Sequence, residues 1–127
     1  MSQPDTARRP RVLVVDDDPD VVDRVRQSLG EAAQVEWTTD WARVNNLVFR
    51  DRCDLVLMDV NLPVLKGDQL VGILTRLSAA GDRPRIVYYS ALDEATLARL
   101  TRETQADGWL SKSLRPAELR QGLAAFL

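Results

Sequence analysis

Residues Leu55-Val56-Leu57-Met58 form an unbroken apolar run that ends in a single carboxylate, Asp59, with Asn61 and Pro63 close behind. An apolar run this short, with no polar alternation, suits a strand buried on both faces, as at the centre of a parallel sheet. Such a strand needs helices packed above and below it, and that requirement constrains what the flanking sequence must supply. It also puts Asp59 at the strand's C-terminal end, where open α/β sheets bind their ligands. An acid there is either a turn or helix cap or the reacting group of a site, and the rest of the chain decides between the two.

Arg11-Val12-Leu13-Val14-Val15 is a second such run, and it ends in Asp16-Asp17-Asp18-Pro19-Asp20. Asp18 is placed as an N-cap with Pro19 at the first helical position. The helix that follows puts Val21, Val22, Val25 and Leu29 on one face and stops at Gly30. Asp18 and Asp20 thus have ordinary tasks at a helix N-terminus, whereas Asp16 and Asp17 have none. Gln34 to Trp37 reads as a short strand near a sheet edge because of Glu36, and Asp40 as the cap of a helix carrying Val44, Leu47 and Val48. Beyond Asp59 a loop through Pro63 and Gly67 leads to a helix with Leu70, Ile73, Leu74 and Leu77, ending at Gly81. Arg85 to Tyr89 is another strand, ending at Ser90, and Asp93 opens a helix with Leu97 and Leu100. Gly108-Trp109-Leu110-Ser111 is a last strand ending at Lys112, and Pro116 starts a final helix with Leu119, Leu123 and Phe126. Five strands alternating with five helices through short loops specify a parallel sheet covered on both faces, with right-handed crossovers.

Composition removes several kinds of chemistry. The chain has 127 residues, enough for one domain with a real core, and a net charge of −2, which gives no global signal for nucleic acid. It contains no histidine, so a Ser-His-Asp or Cys-His pair, a histidine-based zinc site and an internal phosphohistidine are all excluded. Cys53 is the single cysteine; it forms no disulfide framework or CxxC motif and reads as a half-buried small residue before a strand. Any metal must then be held by oxygens, which points to Mg²⁺ or Ca²⁺. The apolar runs are far too short to span a bilayer, and the polar, Arg-containing N-terminus lacks a signal peptide's apolar segment. Residues 1–10 are expected to form a flexible leader, residues 11–127 a single domain, and the cytoplasm is the default location. Of the 17 basic residues only Lys66 and Lys112 are lysines. A chain so biased to arginine that still spells lysine is consistent with a need for a compact ammonium.

In a parallel sheet the strand ends at Asp16/Asp17, Asp59, Ser90 and Lys112 gather at one edge. Three carboxylates, a hydroxyl and an ammonium then share a small volume. Two carboxylates ~4 Å apart repel by about 4 kcal/mol at an effective dielectric of ~20. One lysine cannot neutralise three acids, so a divalent cation bound by hard oxygens is the natural complement, and Mg²⁺ fits. A carboxylate beside it can act as a nucleophile toward phosphorus, with positioning and charge neutralisation carrying the transfer. Taken singly, each residue has a plainer reading: Asp16 and Asp17 as solvated turn acids, Asp59 and Ser90 as caps, Lys112 as a solvated side chain. Their coincidence at successive strand ends favours a site.

With Val14-Val15-Asp16-Asp17, Leu57-Met58-Asp59-Val60-Asn61-Leu62-Pro63 with Gly67, Tyr89-Ser90-Ala91 and Trp109-Leu110-Ser111-Lys112, the chain resembles a response-regulator receiver domain over residues 10–127. The resemblance implies a flavodoxin-like (βα)5 three-layer sandwich, with a five-stranded parallel sheet of order 2-1-3-4-5. It implies that Asp59 is the phosphoacceptor, charged by a sensor histidine kinase or a phosphotransfer protein in bacterial two-component signalling. Asp17 would bind Mg²⁺ directly, Asp16 would assist through water, and the Asn61 carbonyl would complete the protein's share of the metal shell together with Asp59. Lys112 would pair with Asp59 and then with the phosphoryl oxygens, to which Ser90 would hydrogen-bond. Trp109 takes the position of the switch aromatic, usually Tyr or Phe, which turns inward as Ser90 moves toward the phosphoryl group. That motion would alter the face made by the fourth helix, fifth strand and fifth helix and so reach an unidentified downstream protein. The implied partners include neither nucleic acid directly nor a membrane, and a homodimer is left open.

Two positions depart from the family pattern. Ser113 follows Lys112 where the family usually has a proline joined by a cis peptide, so either the bond is trans and the loop reshaped, or a cis bond costing ~3–4 kcal/mol is retained. Trp109 is bulkier than the usual aromatic and reads equally well as a core or interface residue. The alternative function is a degenerate receiver that docks proteins without being phosphorylated. An aspartyl-nucleophile phosphatase of the haloacid-dehalogenase kind wants a second acid where Asn61 stands, and a flavodoxin-like cofactor site wants a Ser/Thr/Gly-rich loop where this chain has acids.

Overall fold

Strands β1 (Arg11–Val15), β2 (Gln34–Thr38), β3 (Leu55–Met58), β4 (Arg85–Ser90) and β5 (Gly108–Ser111) form a single sheet in the order β2-β1-β3-β4-β5. Every pairing is parallel. These are features of a computed structural model that describes residues 9–49, 52–60 and 84–127. Asn61, Lys66, the loop through Pro63 and Gly67, and the helix expected on Leu70 to Leu77 lie outside the described residues.

The unalternating runs are buried on both faces, as their composition requires. Val12, Val14, Leu55, Leu57, Val87 and Tyr89 face one core together with helices α1 (Pro19–Leu29) and α4 (Pro116–Ala124), which supply Val21, Val22, Val25, Leu119 and Leu123. The alternate residues Leu13, Val15, Val56, Met58, Ile86 and Tyr88 face a second core. Helices α2 (Trp41–Phe49) and α3 (Glu94–Thr104) cover that face through Val44, Val48 and Leu97. α3 and α4 here are the fourth and fifth of the five helices read from the sequence. The described residues therefore form three layers, with the sheet in the middle.

Local signals set the boundaries. Asp18 caps α1, its carboxylate accepting from the Asp20 N–H at 2.9 Å, with Pro19 opening the helix. Gly30 ends α1 at φ +54°, a backbone angle that favours glycine, and a single 3₁₀ turn, Gly30–Ala32, leads into β2. Asp93 caps α3 by accepting from the Thr96 N–H at 3.1 Å and the Thr96 hydroxyl at 2.6 Å. β2 runs one residue beyond Trp37, to Thr38, because Val15 on β1 still pairs with it. Phe126 falls past the end of α4 instead of within it, yet packs against the first core. Cys53 is half-buried, its thiol 3.7 Å from the Leu47 carbonyl. Among the described residues no helix is long and apolar enough to cross a membrane.

Candidate functional site

Because all four pairings are parallel, the chain leaves β1, β3, β4 and β5 at the same edge. The register sets Val15 beside Met58, Met58 beside Tyr88, and Ser90 beside Ser111. Of the residues that follow, Asp59 and Lys112 are tied to the neighbouring strands by backbone bonds. The Asp59 N–H donates to the Val15 carbonyl at 3.0 Å and the Lys112 N–H to the Ser90 carbonyl at 2.8 Å. Carboxylate oxygens of Asp16, Asp17 and Asp59 all lie within 4.8 Å of one another. Asp16 and Asp59 are buried and Asp17 is exposed, which gives the cluster one open side.

Among the described residues Lys112 is the cation of this cluster; it pairs with Asp59 as expected, and it lies closer still to Asp16. Its Nζ is 2.8 Å from Asp16 Oδ2 and 3.6 Å from Asp59 Oδ2, so the close pairing is with Asp16. Asp16 also receives the Asp18 N–H on Oδ1 at 3.0 Å. Burial pushes the Asp16 carboxyl above its ordinary range, and the hydrogen bonds from Lys112 and from the Asp18 N–H only partly oppose it. Burial by itself would lower the Lys112 ammonium; the hydrogen bond to Asp16 and the fields of Asp59 and Asp16 outweigh it and leave it raised. Lys112 therefore stays charged at neutral pH. Its Nζ also lies 6.0 Å from the ring centroid of the buried Tyr89.

Ser90 is fully buried, and its Oγ accepts from the Leu92 N–H at 3.2 Å, which leaves its own proton to donate. Trp109 is half-buried beside Tyr88 and packs on the margin of the second core. The Lys112–Ser113 peptide is trans, since no cis bond occurs among the described residues. In place of the family's proline, two serines close the turn: the Ser113 N–H donates to Ser111 Oγ at 3.1 Å, and the two hydroxyls are 2.7 Å apart. Arg24, on α1, donates from Nη1 to the Lys112 carbonyl at 3.0 Å and holds the same turn from the other side. Asn61 lies outside the described residues.

Two contacts to this site were not read from the sequence. One is the Arg24 bond, between residues far apart in the chain. The other joins Trp37, on the edge strand β2, to the Asp16 carbonyl through its indole N–H at 2.6 Å. An aromatic near the end of a strand that pairs with the Asp16 strand is the signal that could have flagged it.

A doubly wound parallel sheet with an acid cluster, a lysine and a buried serine at its C-terminal edge is an α/β signalling-type domain with its polar site where open sheets bind ligands. The model of the response regulator receiver domain matches residues 12–124, and the chain belongs to that family. It is 33% identical over 119 residues to the transcriptional regulatory protein PrrA of Mycobacterium tuberculosis, covering 93% of this chain and 50% of PrrA. It is 32% identical over 112 residues to the sensor histidine kinase TmoS of Ectopseudomonas mendocina, covering 88% of this chain and 11% of that protein. The chain thus spans half or less of the length of these relatives. Among solved structures it superposes on the chemotaxis response regulator CheY4 of Vibrio cholerae with a TM-score of 0.78 at 23% identity, covering 94% of this chain and all of that one. The receiver domain of Klebsiella pneumoniae RstA gives a TM-score of 0.76 at 24% identity, covering 91% of this chain and 97% of that one. The chain is a receiver domain of the two-component response regulators, a signalling switch.

Proposed function

We propose that Asp59 accepts a phosphoryl group from a sensor histidine kinase or a phosphotransfer protein, with Mg²⁺ held by Asp16, Asp17, Asp59 and the Asn61 carbonyl. The observation that carries this reading is the approach of the Asp16, Asp17 and Asp59 carboxylates to within 4.8 Å beside a lysine ammonium. Three hard carboxylate donors, with no nitrogen or sulfur ligand among them, fit Mg²⁺. When bound, that ion offsets the repulsion of the acids and the charge of the phosphoryl oxygens.

The remaining tasks fall to the chain. An Asp59 carboxylate oxygen attacks the phosphorus, and the phosphorus–nitrogen bond of the donor's phosphohistidine breaks. Its electron pair passes to the imidazole, and the phosphoryl group stays on Asp59 as an aspartyl phosphate. Lys112, charged throughout, shifts from Asp16 to the phosphoryl oxygens, and Ser90 donates its free proton to one of them. Movement of Ser90 and of Trp109 then alters the face formed by α3, β5 and α4, which is read by a downstream protein partner. Titration with beryllofluoride in Mg²⁺ tests this reading. Backbone amide resonances at residues 59, 90 and 112 should move, and Asp59→Asn should abolish the response. An unchanged spectrum at saturating reagent contradicts it.

A further inference from the structure

The Asp17 carboxylate is the exposed member of the acid cluster and makes no hydrogen bond or ion pair with the described residues. Asp16 is fixed by Lys112 and by the Asp18 N–H; the position of Asp17 depends on the backbone that carries it. The Asp16 carbonyl and the Asp17 N–H belong to one planar peptide unit, and the Trp37 indole donates to that carbonyl at 2.6 Å. The bond is short for N–H···O, and it fixes the plane from which the Cα of Asp17 departs. Trp37 pairs with Val14 in the sheet and reaches Asp16 two residues further along the chain, just past the end of β1, a diagonal within reach of a long aromatic side chain. Trp37 is 38% exposed, so its ring is poorly placed as core packing, and the directed feature of the residue is its N–H.

We propose that Trp37 is a positioning residue for metal binding: its N–H holds the Asp16–Asp17 peptide so that Asp17 faces Asp16 and Asp59. The inference rests on reading these acids as a Mg²⁺ site. Trp37→Phe keeps an aromatic ring in place and removes the N–H donor with the five-membered part of the indole.

Calorimetric titration should find Mg²⁺ bound about three- to tenfold more weakly by Trp37→Phe than by the wild type. The Mg²⁺ concentration for half-maximal phosphorylation should rise by the same factor, and by more than the maximal rate falls. In the unaltered protein, the Trp37 indole N–H resonance should move in step with the Asp17 and Asp18 amides as Mg²⁺ is added. That measurement decides by itself if the variant does not fold. Wild-type Mg²⁺ affinity in Trp37→Phe, or an indole resonance unmoved at saturating Mg²⁺, overturns the role of Trp37 and leaves the phosphoacceptor reading standing. Failure of the unaltered protein to bind Mg²⁺ at all overturns both.

Discussion

Lys112 Nζ lies 2.8 Å from Asp16 Oδ2 and 3.6 Å from Asp59 Oδ2, so the ammonium rests on the neighbour of the proposed acceptor. That arrangement keeps one counter-charge within ion-pair distance of both acids. Lys112→Met removes the cation and leaves two buried acids facing each other. The Lys112 side chain is 19% exposed, so the penalty is below that of a sealed ion pair, about 1–3 kcal/mol in chelator. Urea denaturation should show this loss, and a smaller one in excess Mg²⁺.

Asp16 gives a prediction of opposite sign. Its carboxyl is raised above the ordinary 3.8, with burial as the main cause. As pH climbs past 3.8 the unfolded chain loses this proton first, and the folded chain holds it until its own higher value. The folded state binds the extra proton in that window, so stability from Asp16 falls as pH rises through it and stays lower beyond. Metal-free Asp16→Asn should therefore be at least as stable as the wild type at pH 7, and its advantage should shrink as pH falls below the window. Chemical denaturation across pH 3 to 8 in chelator measures the difference. A variant less stable by more than ~1 kcal/mol at pH 7 would contradict the crowding of acids.

Adjacent tyrosines on β4 should respond differently to the same change. Tyr88, facing the second core, donates its hydroxyl to Thr104 Oγ1 at 2.9 Å, and Thr104 donates in turn to the Leu100 carbonyl at 2.7 Å. Tyr88→Phe should cost about 1 kcal/mol and speed amide exchange in α3. Tyr89 faces the first core, and its buried hydroxyl has no partner among the described residues. Tyr89→Phe should be neutral or stabilising by up to ~1–2 kcal/mol. Paired urea titrations give both values, and a loss on Tyr89→Phe above ~1 kcal/mol would mean the phenol is satisfied by an ordered water.

Much of this was legible in the chain because strand burial and parallel topology are written in short apolar runs. Leu55 to Met58 and Val12 to Val15 are buried on both faces as their composition demands, and the parallel edge then brings Asp16, Asp17, Asp59, Ser90 and Lys112 together. What periodicity cannot carry is which of two nearby acids a flexible lysine contacts. Side-chain packing sets that, and Lys112 lies against Asp16 while keeping Asp59 within ion-pair distance. Nor can it show side-chain bonds to backbone across unpaired distances, such as Trp37 to Asp16 or Arg24 to Lys112. The Ser111–Ser113 turn is half visible: the missing proline leaves a reshaped trans loop and a retained cis bond both open, and the structure has the trans bond, closed by two serines.

Phosphorylation on Asp59 is read by intact-protein mass spectrometry after incubation with acetyl phosphate and Mg²⁺. The mass should rise by one phosphoryl group, and the increase should be absent in chelator and absent in Asp59→Asn. No adduct on the unaltered protein, or an adduct that survives Asp59→Asn, would contradict phosphorylation at Asp59.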